Sequence, residues 1–162
     1  MGCWIDFKTS LNINIYHKRR IFKMKKDDCI FCKIAAGEIP SAAVYEDENF
    51  RAILDLGPAA KGHTLVIPKN HSDNLLTVDS ETASKALTVI SKTANAVKEA
   101  MGCDGINVVQ NNGEAAGQTV MHLHFHIIPR YNNDSVKIGW EPMKPSNDEL
   151  AATAELIREK LH

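Results

Sequence analysis

The chain has 162 residues, 44% of them hydrophobic and 24% charged, with a formal net charge of -1. That balance suits one soluble globular domain and gives no global reason to expect nucleic acid as a partner. No apolar run approaches membrane-spanning length, so no membrane partner is expected and the expected location is cytoplasmic.

Charge is unevenly spread. Residues 1–26 hold seven Lys/Arg against one acid, Asp6, while the remainder holds 12 against 19. The basic cluster follows the modest apolar stretch, the reverse of a secretory signal. Met1-Gly2-Cys3 hints at a lipid anchor, but Asp6 stands where a myristoylation signal wants Ser or Thr. The plainer expectation is that Met24 is the natural start and that 1–26 is a basic extension, with an RNA- or membrane-touching arm as the alternative.

In chain order, CIFCKIAAGEIP reads as a knuckle and a short helix closed by Gly37 and Pro40. AVYED and FRAILD read as two strands joined by a turn near Glu48-Asn49. LGPAAKG is a loop, and HTLVIP a third strand that ends at Pro68. From Ser80 to Met101 the apolar positions Ala83, Ala86, Leu87, Ile90, Ala94, Val97 and Met101 recur at helical steps, with Gly102 at the end. GINVVQN is a strand, NNGEAAGQ a Gly-rich loop, and TVMHLHFHII a last strand. Ser146-x-x-Glu149 is a capping box that opens a helix with the stripe Leu150, Ala154, Ile157 and Leu161. Consecutive strands with segregated helices indicate α+β with a mostly antiparallel sheet. The expected organisation is an extension over 1–26, a domain over 27–140 and a tail with a capped helix over 141–162.

Within QTVMHLHFHIIPR, His122, His124 and His126 alternate with Leu123, Phe125 and Ile127. On a strand this gives one imidazole face and one apolar face, with neighbouring rings about 7 Å apart. Three histidines on one face are hard to explain by packing, because each ring needs a partner or bears the cost of burial. Two chemistries fit: a catalytic metal held by all three, or a nucleophilic histidine with orienting neighbours.

Other residues bear on the choice. Of the four cysteines (Cys3, Cys29, Cys32 and Cys103), Cys29-x-x-Cys32 reads as metal-binding or redox, and Cys103 as a small buried hydrophobe. Cys29, Cys32 and His71 leave one vacancy in a Cys2His2 structural zinc set, and His122 is the best candidate for it. His124 is then free to attack phosphorus, given a partner that fixes its tautomer. The preceding Gly-rich loop, with Gly117, Gln118 and Thr119, suits phosphate.

The heptad His122-Leu123-His124-Phe125-His126-Ile127-Ile128 resembles the signature of the histidine triad (HIT) superfamily, His-φ-His-φ-His-φ-φ with φ apolar. DCIFCKIAAGEIP, FRAILDLGPAAKGHTLVIPKNH and VVQNNGEAAGQTVMHLHFHIIPRY extend the likeness to the Hint-type nucleotide-binding branch over about residues 27–140. The resemblance implies an HIT-like antiparallel sheet of about five strands with two main helices, continued across a homodimer. It implies hydrolysis or transfer at the α-phosphorus of purine nucleoside phosphoramidates, adenylates or dinucleoside polyphosphates. His124 matches the nucleophile that forms a nucleotidyl-histidine. His126 matches the phosphate contact, with Asn111, Gln118 and Thr119 at the other polar positions; Thr119 stands where several members carry Ser. Asp55 matches the acid that holds the ribose, and Ile30, Phe31, Ile34, Leu54 and Leu56 match the slot for the base. His63 matches a histidine hydrogen-bonded near the triad. Cys29, Cys32, His71 and His122 match the ligands of a structural Zn²⁺. Three other readings remain: a nucleotide-binding or scaffold protein with incidental hydrolysis, a metallohydrolase with all three histidines on the metal, and a redox module.

Overall fold

A computed structural model describes residues 24–161; the expectations for the segment 1–23 lie outside the described residues. Five strands form one antiparallel sheet: β1 (Ala43–Glu46), β2 (Phe50–Leu54), β3 (Thr64–Pro68), β4 (Gly105–Val109) and β5 (Phe125–Arg130). Their order is β1-β2-β3-β5-β4, so β3 and β5 lie side by side at the centre. The α+β fold expected from the sequence is the fold observed.

Strand parity distributes the core between two faces. Phe50 and Ala52 of β2, Val66 of β3, and Phe125 and Ile127 of β5 point to one face with Leu123. There they meet Ala86, Val89, Ile90 and Val97 of helix α2 (Ser80–Met101). The intervening residues Ile53, Leu65 and Ile67 point the other way, onto Phe31, Cys32, Ile34 and Ala35 of the short helix α1 (Ile30–Ala35). Because β3 is covered on both sides, all five of its residues are buried, which is why HTLVIP reads as a continuous apolar run rather than an alternation.

Helix α2 has the bounds that its periodicity predicts. The Asp79 side chain caps it by accepting from the Thr82 amide, and Gly102 ends it in the left-handed conformation at φ 58. Its buried line runs through Thr82, Val89 and Thr93 as well as Ala86, Ile90 and Val97, which turns Leu87 out to solvent. Thr82, Val89 and Thr93 share that line at helical spacing, so hydrophobicity alone misplaced the stripe by including Leu87. Gly62, before β3, has φ +87, and a Cβ there would lie 2.6 Å from the Met101 side chain; only glycine fits this close approach of loop and helix.

Helix α3 (Asn147–Arg158) carries the expected capping box between Ser146 and Glu149. Leu150, Ile157 and Leu161 of its stripe are exposed on the single chain.

The histidine segment departs from expectation. β5 starts at Phe125, so His122 and His124 precede the sheet. The β3 ladder ends at the Val66–Phe125 pair and the β4 ladder at Val109–His126. Upstream, the Leu123 amide donates to the Ser72 carbonyl and the His122 amide to Val120. Burial still alternates toward α2 through Leu123, Phe125 and Ile127, but tertiary contacts impose it on the first half.

Candidate active site

The three histidines line the α1 face. His124 and His126 have ring centroids 5.0 Å apart, closer than the strand spacing expected from sequence. Phe31 of α1 meets His124 edge-on at 5.0 Å and His122 at 6.0 Å, so a one-turn helix sets the orientation of two triad rings.

His122 is fully buried, and its ring nitrogens have different partners. Nε2 lies 2.9 Å from the Pro68 carbonyl oxygen; a carbonyl only accepts, so Nε2 carries the proton and Nδ1 is bare. That bare Nδ1 lies 3.3 Å from Cys29 Sγ, 3.5 Å from Cys32 Sγ and 3.1 Å from His71 Nδ1. His71 repeats the pattern, with Nε2 3.1 Å from the Asp73 carboxylate and Nδ1 3.3 Å from Cys32 Sγ. Two bare nitrogens and two sulfurs therefore converge, all within 4.8 Å of one another, and the cluster could hold a metal ion. The Lys26 amide donates to Cys32 Sγ at 3.4 Å, and the Cys29 amide to the Lys26 carbonyl. Met24 joins the same loop, since its carbonyl accepts from the His71 amide. Burial pushes the Cys32 thiol up and lowers His122 to about 4, so the imidazole keeps its lone pair at neutral pH.

His124 Nδ1 lies 2.6 Å from the carbonyl oxygen of His122. The same logic puts the proton on Nδ1 and leaves Nε2 as a lone pair. His122 thus joins the metal-type cluster through its side chain and sets the tautomer of His124 through its main chain.

At the far end of the row, His126 Nδ1 faces His63 Nε2 at 3.0 Å, and the Asp55 carboxylate lies 3.6 Å from the same His63 nitrogen. Burial lowers His126 to about 4, with His124 and His63 adding to the effect, and burial also lowers His63. Asp55 holds its own turn by accepting from the Gly57 amide at 2.9 Å.

The remaining candidates divide. Phe31 and Ile34 are buried on the histidine face, whereas Ile30 of the same helix and Leu56 after β2 are exposed. Leu54 is not with them: it lines an apolar cavity on the α2 face with Val44, Thr64, Val97 and Met101. The β2 residue that packs with Phe31 and Ile34 is Ile53. Sequence parity could have found it, since Ile53 and Asp55 share a face and Leu54 takes the other. Gln118 is 2% exposed and fully engaged, its amide donating to the Asp73 and Val120 carbonyls while its oxygen accepts from the Gly113 amide. It clamps the loop and has no hydrogen-bonding atom left for a phosphate. Thr119, next to it, is exposed. Asn111 sits under the Gly117 turn, its side-chain nitrogen 3.7 Å from where a Gly117 Cβ would be. Sequence reading missed Asp73 and Pro68, the groups that orient His71 and His122. Asp73 had a signal, an acid two residues past a ligand candidate; a backbone carbonyl had none.

Residues 36–133 match the HIT domain family model, and the chain belongs to that family. It is 51% identical to the Bacillus subtilis protein hit over 105 residues, covering 65% of this chain and 72% of that one. It is 40% identical to the adenosine 5'-monophosphoramidase hnt1 of Schizosaccharomyces pombe, covering 82% of this chain and 98% of the relative. Among solved structures, SMU.412c from Streptococcus mutans UA159 superposes with a TM-score of 0.83 at 43% identity, covering 88% of this chain and 90% of that one. Among the described residues, no helix is long and apolar enough to cross a membrane.

Proposed function

We propose that this chain hydrolyses or transfers at the α-phosphorus of purine nucleoside phosphoramidates, adenylates or dinucleoside polyphosphates, with His124 as nucleophile. The observation that carries this reading is the bond from His124 Nδ1 to the His122 carbonyl. It leaves the Nε2 lone pair free without any change of protonation. In the first step Nε2 bonds to phosphorus as the bond to the leaving group breaks, and the leaving group takes a proton from water at the exposed Thr119 edge. In the second, the hydroxide left by that water attacks phosphorus, the N–P bond breaks, and the ring returns to its starting tautomer.

In this reading His126, Thr119 and Asn111 would hold the phosphate oxygens, and Asp55 the ribose hydroxyls. Phe31, Ile34 and Ile53 form the apolar back of a base slot, with Ile30 and Leu56 as its lips. A relative whose name is adenosine 5'-monophosphoramidase supports this substrate class.

Zinc suits the cluster at the other end. Bonds of about 2.3 Å to sulfur and 2.0 Å to nitrogen in a tetrahedron put ligand atoms about 3.3–3.8 Å apart. The observed 3.1–3.5 Å separations lie close to that. Cys29, Cys32, His71 and His122 would hold the ion with no open position, so it would pin the knuckle and the His122 main chain rather than activate water. The exposed edge of β4, where Val108 points to solvent, is available for a second copy to continue the sheet into a homodimer, and we place the protein in the cytoplasm.

The test is turnover of adenosine 5'-phosphoramidate by the chain and by His124→Ala, following AMP release. A loss of about a hundredfold or more in a folded variant supports the reading. Equal near-background rates for both would replace hydrolysis with nucleotide binding alone.

A further inference from the structure

The Gly-rich loop before the histidine row is closed by its own residues. The Gln118 amide donates to the Gly113 carbonyl at 3.1 Å, and the Gly113 amide returns a bond of 2.8 Å to Gln118 Oε1. Gly113 and Gly117 hold φ at +82 and +83, the left-handed conformation that this tight turn demands. Gln118 Nε2 reaches out of the loop, donating to the Asp73 carbonyl at 2.6 Å and to the Val120 carbonyl at 2.9 Å. At Asp73 the loop meets the metal-type cluster. The Asp73 carboxylate accepts from His71 Nε2 at 3.1 Å and orients that ring, while the carbonyl of the same residue accepts from Gln118. Two more bonds tie the neighbours of Asp73 to the same side. The Leu75 amide donates to Asn112 Oδ1 at 2.9 Å, and the Leu123 amide to the Ser72 carbonyl at 2.7 Å. Ser72 and Gln118 are buried, so breaking these bonds leaves polar groups unpaired away from water.

We propose that Gln118 is a positioning residue that, through Asp73, couples the Gly-rich loop to the Cys29, Cys32, His71 and His122 cluster, so that metal in the cluster and nucleotide at the loop tighten each other. The nucleotide half rests on the function proposed above; the coupling of cluster to loop does not. A ring whose Nδ1 lone pair is committed to an ion has its plane fixed, and the His71 Nε2–H then meets Asp73 in one direction. With Asp73 placed, its carbonyl offers Gln118 Nε2 one position, and Gln118 Oε1 in turn sets the Gly113 amide. Only a carboxamide can serve here, because it donates to two carbonyls and accepts from an amide at once; a carboxylate or a thioether has no donor. The effect is reciprocal by linkage: a nucleotide that favours the ordered loop strengthens metal binding by the factor that the metal strengthens nucleotide binding.

The test is zinc affinity on the full chain, read by competition with a chromophoric chelator, with and without saturating AMP. Expected is a parent that binds zinc about tenfold more tightly when AMP is present, and a Gln118→Met variant whose zinc affinity ignores AMP. A Gln118 that only held the loop together would weaken both ligands and keep the factor. Amide hydrogen exchange gives a second reading without nucleotide: zinc should slow exchange of the Gly113 amide in the parent and leave it unchanged in Gln118→Met. Should Gln118→Met not fold, Asp73→Ala removes a carboxylate that is 53% exposed, keeps the carbonyl, and must also lose the factor. A parent that binds AMP without any change in zinc affinity, a factor kept in either variant, or a chain that takes up no zinc would overturn the proposal. A chain that binds zinc but no AMP would count against the proposed function, and the Gly113 exchange would then decide the coupling.

Discussion

The two ends of the histidine row have similar inventories and opposite chemistry. At one end His122 and His71 meet two cysteines; at the other His126 and His63 meet Asp55. The difference lies in what touches the outward nitrogen of each ring. His122 and His71 give their outward N–H to acceptors, the Pro68 carbonyl and the Asp73 carboxylate, so their inward nitrogens are lone pairs suited to a cation. His63 has its outward nitrogen occupied by a donor, the Ala59 amide, so its inward nitrogen carries a proton and the contact becomes a hydrogen bond. A neutral histidine in such a cluster can offer its inward lone pair to a metal when its outward nitrogen gives its proton to an acceptor.

The largest effect should come from breaking the acceptor-held end. Cys32→Ser removes one sulfur and should lower zinc affinity sharply. Where free zinc exceeds the parent dissociation constant a thousandfold, bound metal stabilises the fold by about 4 kcal/mol. Thermal unfolding with and without zinc should show that gap in the parent and most of it gone in the variant. Because His122 carries both a ligand nitrogen and the carbonyl bonded to His124, Cys32→Ser should also weaken turnover; a variant that loses the metal yet keeps full activity would uncouple the two.

A smaller effect concerns pH at the donor-held end. Burial holds His126 at about 4 in the fold, below the ordinary value near 6.5 that it regains when unfolded. The unfolded chain then binds more protons between those values, so this group costs nothing above pH 6.5 and destabilises progressively as pH falls toward 4. The unfolding midpoint of the parent should decline across that window, and His126→Asn should decline less steeply. Parallel curves would show that His126 is not held neutral.

The smallest effect, and the sharpest on the comparison itself, comes from Ala59→Pro. Proline has no N–H, so His63 could place its proton on Nδ1 and free Nε2. Titration calorimetry should then find a second, weaker zinc on a chain whose first site is already filled, where the parent shows one. One zinc on both would mean that the amide is not what excludes the ion.

Much of this was legible in the sequence because it rests on local periodicity. The bounds of α2 follow from helical spacing and Gly102, and the Ser146 capping box is a four-residue pattern. The four residues of the metal-type cluster were legible from donor type and count. The rest depends on partners distant in the chain. Gln118 read as a phosphate group because it lies in a Gly-rich loop, yet its amide finds Asp73, Val120 and Gly113. Leu54 read as a slot residue although its parity with Asp55 already assigned it to the α2 face. His122 and His124 read as strand, but both precede β5, and the His122 and Leu123 amides donate to the Val120 and Ser72 carbonyls rather than to a neighbouring strand. The proton positions on His122, His124 and His63 were beyond sequence, because the groups that set them are the main-chain atoms of Pro68, His122 and Ala59, and any residue would have supplied the carbonyls.

The most direct test of the central claim, that a metal-free His124 Nε2 is the nucleophile, is rapid acid-free quenching of the zinc-loaded chain during turnover of an adenylate, followed by peptide mapping. The account predicts one nucleotidyl group per chain, attached to His124 and absent in His124→Ala. Sustained turnover with no adduct on any histidine, abolished by removal of the metal, would contradict it and assign the chemistry to a metal held by the triad.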